Sequence, residues 1–157
     1  ASGEAESGPL TGLRVLVPNS AGSGYDTTAR EWAQVMEDEE LAEGVEVFNL
    51  EGAGGTVGLQ RLVNEDGNAE MLMQMGLGVV GAQYSNQSAA TLDQTTPIAK
   101  LIEEAEAIVV PGDSEFQSLD DLVQAWSENP GDLPVGGASN PGGPDHLTPM
   151  LLAEEVG

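Results

Sequence analysis

The chain has 157 residues, 39% of them hydrophobic, and sets 27 Asp and Glu against 4 Lys and Arg, a formal net charge of −23. That length suits one ordinary domain, or one and a fraction, with enough apolar residues to build a core. So negative a field excludes nucleic acid and anionic membrane surfaces as partners, and the absence of cysteine excludes disulfides, thiol catalysis and cysteine metal sites. The acidity fits a protein of a high-salt habitat, where screening tames self-repulsion, and equally an acidic secreted protein of a moderate one.

Residues 1–12, ASGEAESGPLTG, are small, polar and glycine-rich. They read as a flexible tether left after a removed signal or lipoprotein segment, which points to an extracytoplasmic protein. No apolar run approaches the ~20 residues of a membrane helix. Leu13 to Val17 is a short apolar strand. After PNSAGSGYD, a helix is predicted from Thr28 to about Leu41, with Ala29, Trp32, Ala33 and Met36 on one face and Thr28 with Glu31 as a capping box. Gly44 ends it, and VEVFNL alternates as a strand. EGAGG then opens a short helix that Asp66-Gly67 stops, and MLMQMG is the next strand. Ala82 to Thr96 is a helix or a loop. IAKLIEEAEAIVVPG supplies two strand-like runs. Ser118 and Asp121 cap a helix with Leu119, Leu122, Val123 and Trp126 on one face, which Pro130-Gly131 terminates. LPVGGAS is a last strand, and a further helix begins near Asp145. Trp32 and Trp126, on apolar stripes, are expected in the core. This alternation means an α/β fold, a mainly parallel sheet with helices on both faces.

Three places look alike: residues 18–26, 52–58 and 136–146. Each leaves a strand, passes through glycines and small hydroxyl residues, and enters a helix. A helix N-terminus exposes unpaired N–H groups and about half a positive charge. Glycines let an anion come close, so a carboxylate is held without any cationic side chain. In open α/β sheets such turns gather at the carboxyl ends of the strands. The candidate ligand residues are Ser20, Ala21, Gly22, Ser23, Gly24, Asp26, Gly54, Gly55, Thr56, Ser139 and His146. Asp26 is a helix N-cap or a residue that orients the ligand loop. His146, the single histidine, is a capping or packing residue or a ligand contact.

Chemistry finds no foothold. There is no G-x-S-x-G elbow for a serine nucleophile. MEDEELAE lacks the oxygen spacing of a calcium loop, and Asp145 and His146, adjacent on a helix, do not face one another. Neither a metal nor a cofactor is expected. GLGVVG, Gly76 to Gly81, does match the dinucleotide glycine pattern, with Glu103 and Glu104 about twenty residues on. The polar stretch after Gly81 lacks the apolar stripe of a crossover helix. An NAD(P)-dependent enzyme built on that turn is one alternative, and a ligand-sensing module without a transport role is another.

These residues resemble the extracytoplasmic solute-binding proteins of tripartite tricarboxylate transporters, the Bug receptors. The family's P-f-p-a-G-G-s-t-D loop and following Arg are matched at Pro18, Ala21, Gly22, Asp26 and Arg30. Its eNrpGAgGtiG is matched at Asn49, Gly52, Ala53, Gly54, Gly55, Thr56 and Gly58, with Leu50-Glu51 standing where Arg-Pro is frequent. SLDDLVQAWSENPGDLPVGGAS and SNPGGPDHL resemble its later motifs, so the likeness runs from about Leu13 to the C-terminus. The resemblance implies periplasmic-binding-protein-like lobes hinged around a cleft, in members about twice this length. It places a first lobe at residues 13–100 and the opening of an incomplete second lobe at 101–157, a fragment of a two-lobe protein. It implies capture of a small carboxylate (a di- or tricarboxylate or related acid) without chemistry, hinge closure, and delivery to membrane permease subunits.

Overall fold

The computed structural model describes residues 8–156. Strand β2 (Arg14–Val17) decides the architecture, because Val15, Leu16 and Val17 are all fully buried. A strand whose successive side chains point to opposite faces is buried throughout only if both faces are covered. β2 is the centre of a parallel sheet in the order β4-β2-β5, with β4 at Glu46–Asn49 and β5 at Met71–Met73. Arg14 is opposite Glu46 and Met71, and Leu16 opposite Phe48 and Met73.

Helix α1 (Gly24–Asp38) covers one face, where Val15 and Val17 meet Ala29 with Trp32, Val45 and Val47 around them. Helices α2 (Thr56–Val63) and α3 (Leu77–Ser85) cover the other, where Leu59, Val79 and Ala90 gather Val63, Met73, Met75 and Leu92. Gly58 lets α2 lie close, since a Cβ there would come within 2.8 Å of Leu16 Cδ2. Tyr25 belongs to both halves of the core. The α/β fold with helices on both faces of a parallel sheet is therefore as the sequence implies.

Boundaries differ, for local reasons. α1 starts at Gly24, not Thr28, because Ser23 caps it by accepting the Asp26 N–H, so the Thr28–Glu31 pair lies inside the helix. It ends at Asp38, ahead of Gly44; Glu40 turns with φ 55° into β3 (Ala42–Glu43). β3 pairs in parallel with β1 (Leu10–Thr11), so ordered structure begins inside the expected tether; residues 1–7 of that tether lie outside the described residues. The undecided stretch after Ala82 continues α3 to Ser85 and then makes a 3-10 turn at Leu92–Gln94, closed by a capping box between Thr91 and Gln94.

Beyond residue 95 the expected strands do not form. Residues 96–113, holding both strand-like runs, are exposed throughout and carry no strand, and neither does LPVGGAS. A strand exists only through the neighbour that satisfies its N–H and C=O groups, and among the described residues these segments have no ladder partner. Helix α4 (Leu119–Glu128) forms as read, with Ser118 accepting the Asp121 N–H, and α5 spans Pro144–Val156. Trp126 is only half-buried, because the sheet its stripe should face is not assembled.

Leu16→Ala is expected to lower the unfolding free energy by about 3 kcal/mol in a urea titration, the cost of a core cavity plus lost burial. Val35→Ala, on the exposed face of α1, should change it by less than about 0.5 kcal/mol.

Candidate functional site

Since β2, β4 and β5 run parallel, the turns that follow them leave the same edge of the sheet. They are tied together there. Leu50 N–H donates to Val17 O at 2.9 Å, Gln74 N–H to Leu16 O at 2.9 Å, and the Asn49 side chain to Asn19 O at 2.9 Å.

The first turn, residues 18–23, is organised by a buried carboxylate. Asp26, 3% exposed, accepts the Gly22 N–H at 2.8 Å, Arg30 Nε at 3.0 Å and Asn49 Nδ2 at 3.0 Å. The Arg30 guanidinium and then the Gly22 amide hold its carboxyl well below the usual carboxylate range, outweighing the opposing effect of burial. Of the two readings of Asp26, capping belongs to Ser23, while Asp26 holds the turn in shape. Two more amides are used internally, Ser20 N–H by Asn19 Oδ1 at 2.8 Å and Ser23 N–H by Ser20 O at 3.2 Å. Among the described residues no acceptor meets the N–H groups of Ala21, Gly24 and Tyr25. A Cβ at Gly22 or Gly24 would meet nothing within 4 Å. Gly22 needs glycine for its φ of +82°; Gly24 has neither that need nor a neighbour, and simply leaves the helix end open.

The second turn uses its glycines differently. Gly52, Ala53, Gly54 and Gly55 have φ of 140°, 47°, 63° and 97°, a left-handed run that favours glycine. A Cβ at Gly54 would press on Ala82 at 2.7 Å and on Asn140 Nδ2 at 2.8 Å, and one at Gly55 on Val79 at 2.7 Å. Here the missing side chains make room for protein atoms, whereas the sequence suggested room for an anion. Gly55 and Thr56 are buried, and the Thr56 hydroxyl donates to Ala53 O at 3.0 Å.

A third turn at this edge escapes the sequence reading. Gly76 opens α3 directly after β5, and the Tyr25 ring lies on it: a Cβ at Gly76 would be 2.8 Å from Tyr25 Cε1. Burial pushes the Tyr25 phenol up, against hydrogen bonding from the Gly78 and Gly76 backbone. Gly78 and Gly81 sit within the helix, so GLGVVG is a helix lying close to its neighbours, not a phosphate-cradling loop. Its signal in the sequence was a lone glycine after MLM, hidden inside the dinucleotide pattern.

The 136–146 turn is braced from within. The Asp145 carboxylate accepts the Ala138 and Ser139 N–H groups at 2.5 and 3.1 Å, Ser139 Oγ accepts the Asp145 N–H at 3.1 Å, and His146 Nδ1 accepts the Gly142 N–H at 3.1 Å. Asn140, not Ser139 or His146, reaches the other turns, its amide donating to Gly78 O at 3.2 Å beside Gly54. Ser85 Oγ donates to Pro141 O at 3.1 Å, and the backbones of Gly81 and Gly142 touch so closely that a Cβ at Gly81 would overlap the Gly142 carbonyl. Ser139 and His146 line a cavity of about 320 Å³ with Trp126, Val135 and Pro149, and a second of about 550 Å³ lies among Ile108, Phe116, Trp126 and Leu152.

Every cation is already paired. Arg14 bonds Glu46 at 2.7 Å, Arg30 bonds Asp26, Arg61 bonds Glu65 and Lys100 bonds Glu103. These are all 4 Lys and Arg of the chain. Among the described residues no group of three or more acids and histidines could hold a metal ion.

A family profile described as "Tripartite tricarboxylate transporter family receptor" matches residues 28–157. This chain belongs to that family. Among curated proteins, this chain is 29% identical over 154 residues to a UPF0065 protein in the TAR-I ttuE-ttuC' intergenic region of Agrobacterium vitis, covering 97% of this chain and 44% of that one. It is 30% identical over 147 residues to a UPF0065 protein in the tcbD-tcbE intergenic region of Pseudomonas sp. (strain P51), covering 92% and 43%. The chain thus spans less than half the length of these relatives. No solved structure matches it significantly.

Asp26→Asn should lower the thermal midpoint of the chain at neutral pH, because Arg30 loses its charge partner. A carboxyl held below its unfolded value stabilises the fold above about pH 4 and loses that contribution as pH falls through the native value. The drop in midpoint between neutral pH and acid should therefore be smaller in Asp26→Asn than in the parent chain.

Proposed function

We propose that this chain is the ligand-gripping part of an extracytoplasmic solute-binding protein that captures a small carboxylate for membrane permease subunits of a tripartite transporter. The carboxylate lies at the carboxyl edge against the free N–H groups of Ala21, Gly24 and Tyr25, with the Ser20 and Ser23 hydroxyls beside them. Gly22 and Asp26 shape that turn, and Gly54, Gly55 and Thr56 fix the second turn next to it. Residues 13–100 form a first lobe and 101–157 the opening of a second. The turn bearing Ser139 and His146 closes from the second lobe through Asn140, as hinged lobes close on a ligand. No bond is made or broken, so the protein is a carrier and not an enzyme.

The observation that supports this most directly is Gly24. It stands at the open end of a 15-residue helix with its amide free and no protein atom where a side chain would go. The family match gives that opening its context.

Calorimetry of the chain with citrate, small dicarboxylates, nicotinate and NAD at two salt concentrations tests the reading. Carboxylate affinity should hold or rise with salt, since at about 1 M the Debye length is about 3 Å and the repelling field of the acidic surface is screened while local dipoles remain. Heat with NAD and none with any acid would overturn it. Gly24→Val, which fills the open face, should weaken carboxylate binding at least about tenfold, the worth of one or two hydrogen bonds to a charged group, with little change in the unfolding midpoint.

A further inference from the structure

We infer that the turn at residues 139–142 is a pH-sensitive latch, seated on helix α3 while His146 is neutral and released when His146 takes up a proton. The direction of one hydrogen bond carries this. The Gly142 N–H donates to His146 Nδ1 at 3.1 Å, which requires a neutral imidazole with its proton on Nε2. Histidine is the side chain whose charge ordinarily changes between about pH 5 and 8, and His146 is the single one in the chain. The turn's other brace, the Asp145 carboxylate, holds Ala138 and Ser139 and leaves Gly142 to His146.

Gly142 is also where the turn sits on α3. Its backbone lies so close to Gly81 that a Cβ at Gly142 would be 2.9 Å from the Gly81 carbonyl. On either side, Asn140 donates to Gly78 O at 3.2 Å and Ser85 Oγ donates to Pro141 O at 3.1 Å. A proton on Nδ1 sets one N–H against another. If the Gly142 peptide rotates away, the turn lifts off Gly81; if the ring swings out, the Gly142 amide is left without an acceptor. The two bonds to α3 are neutral and each is comparable to the one lost, so the ratio of docked to released turn should fall about tenfold. Nearby charges do not replace the lost bond. Of the other side chains lining the cavity beside His146, from α4, the preceding loop and α5, only Asp145 is charged, and it is turned to Ala138 and Ser139. Asp120, Asp121 and Glu128 of α4 do not line that cavity, and Glu154 and Glu155 stand two turns further along α5. The one titratable side chain of α3, Tyr84, is exposed. The docked turn needs the neutral ring and the released turn accepts the proton, so docking is favoured above the histidine range and lost as pH falls through it. None of these contacts depends on a ligand.

The test is an NMR titration of the 157-residue chain from about pH 8 to about pH 5. The Gly142 and Gly81 amide signals should move together with the His146 ring signals along one single-proton curve, while Val15 and Val47 in the sheet stay in place. The Overhauser contact between Gly81 and Gly142 should weaken in step, as the docked-to-released ratio falls about tenfold. His146→Asn places an amide oxygen where Nδ1 stood and does not titrate, so it should keep the contact at both ends of the range. Movement of Gly142 alone, with Gly81 unmoved, would reduce the effect to one local bond and overturn the inference. A Gly81 shift that persists in His146→Asn would overturn it as well, by assigning the pH dependence to another group.

Discussion

One carboxylate shapes the edge of this molecule where its turns meet. Asp26 reaches back to the Gly22 amide, sideways to Arg30 and across to Asn49 at the end of β4. It therefore joins the turn after one strand, the helix that follows it and the end of the neighbouring strand through a single buried group. Remove the acid and the Gly22 amide loses its acceptor, leaving the turn tied to β4 through Asn49 on Asn19 O. The arrangement is compact because each partner satisfies it differently: a main-chain N–H, a cation and a side-chain amide. A buried charge tolerates its surroundings only when it is paired and hydrogen-bonded, and all of those conditions are met here.

The same ion pair bears on the proposed capture of an anion by so acidic a chain. Its few cations are spent on structure, one of them beside the candidate turns, so on the proposed reading charge recognition would fall to the peptide backbone. Peptide dipoles act at short range, whereas the surface field is long-ranged and screened by salt. The two are therefore separable, and salt concentration adjusts one while leaving the other largely alone.

Residues 13–73 were largely legible because local chemistry and tertiary structure agree there. LRVLV reads as a buried strand and is one; EGAGG reads as a turn into a helix and is one. Glycine was harder to read. At Gly22 and Gly24 it leaves open space, while at Gly54, Gly55 and Gly58 it admits Asn140, Val79 and Leu16. A sequence shows that a Cβ is missing but not what stands in its place. The strand-like runs around Ile98–Val110 show the opposite difficulty: apolar, β-branched composition promises a strand, yet pairing depends on neighbours that composition does not contain. Tyr25 and Asn140 went unnoticed for a related reason. Each acts across more than fifty positions of sequence, on Gly76 and on Gly54 or Gly78, and no spacing rule reaches that far.

The meeting of Gly81 with Gly142 has its own consequence. Where two main chains touch with nothing between them, there is no rotamer to adjust and no softer packing to fall back on. The Ser85 hydroxyl on Pro141 O and the Asn140 amide on Gly78 O hold the loop on either side of that contact. A side chain at either glycine would wedge the two segments apart, so this seat admits glycine alone.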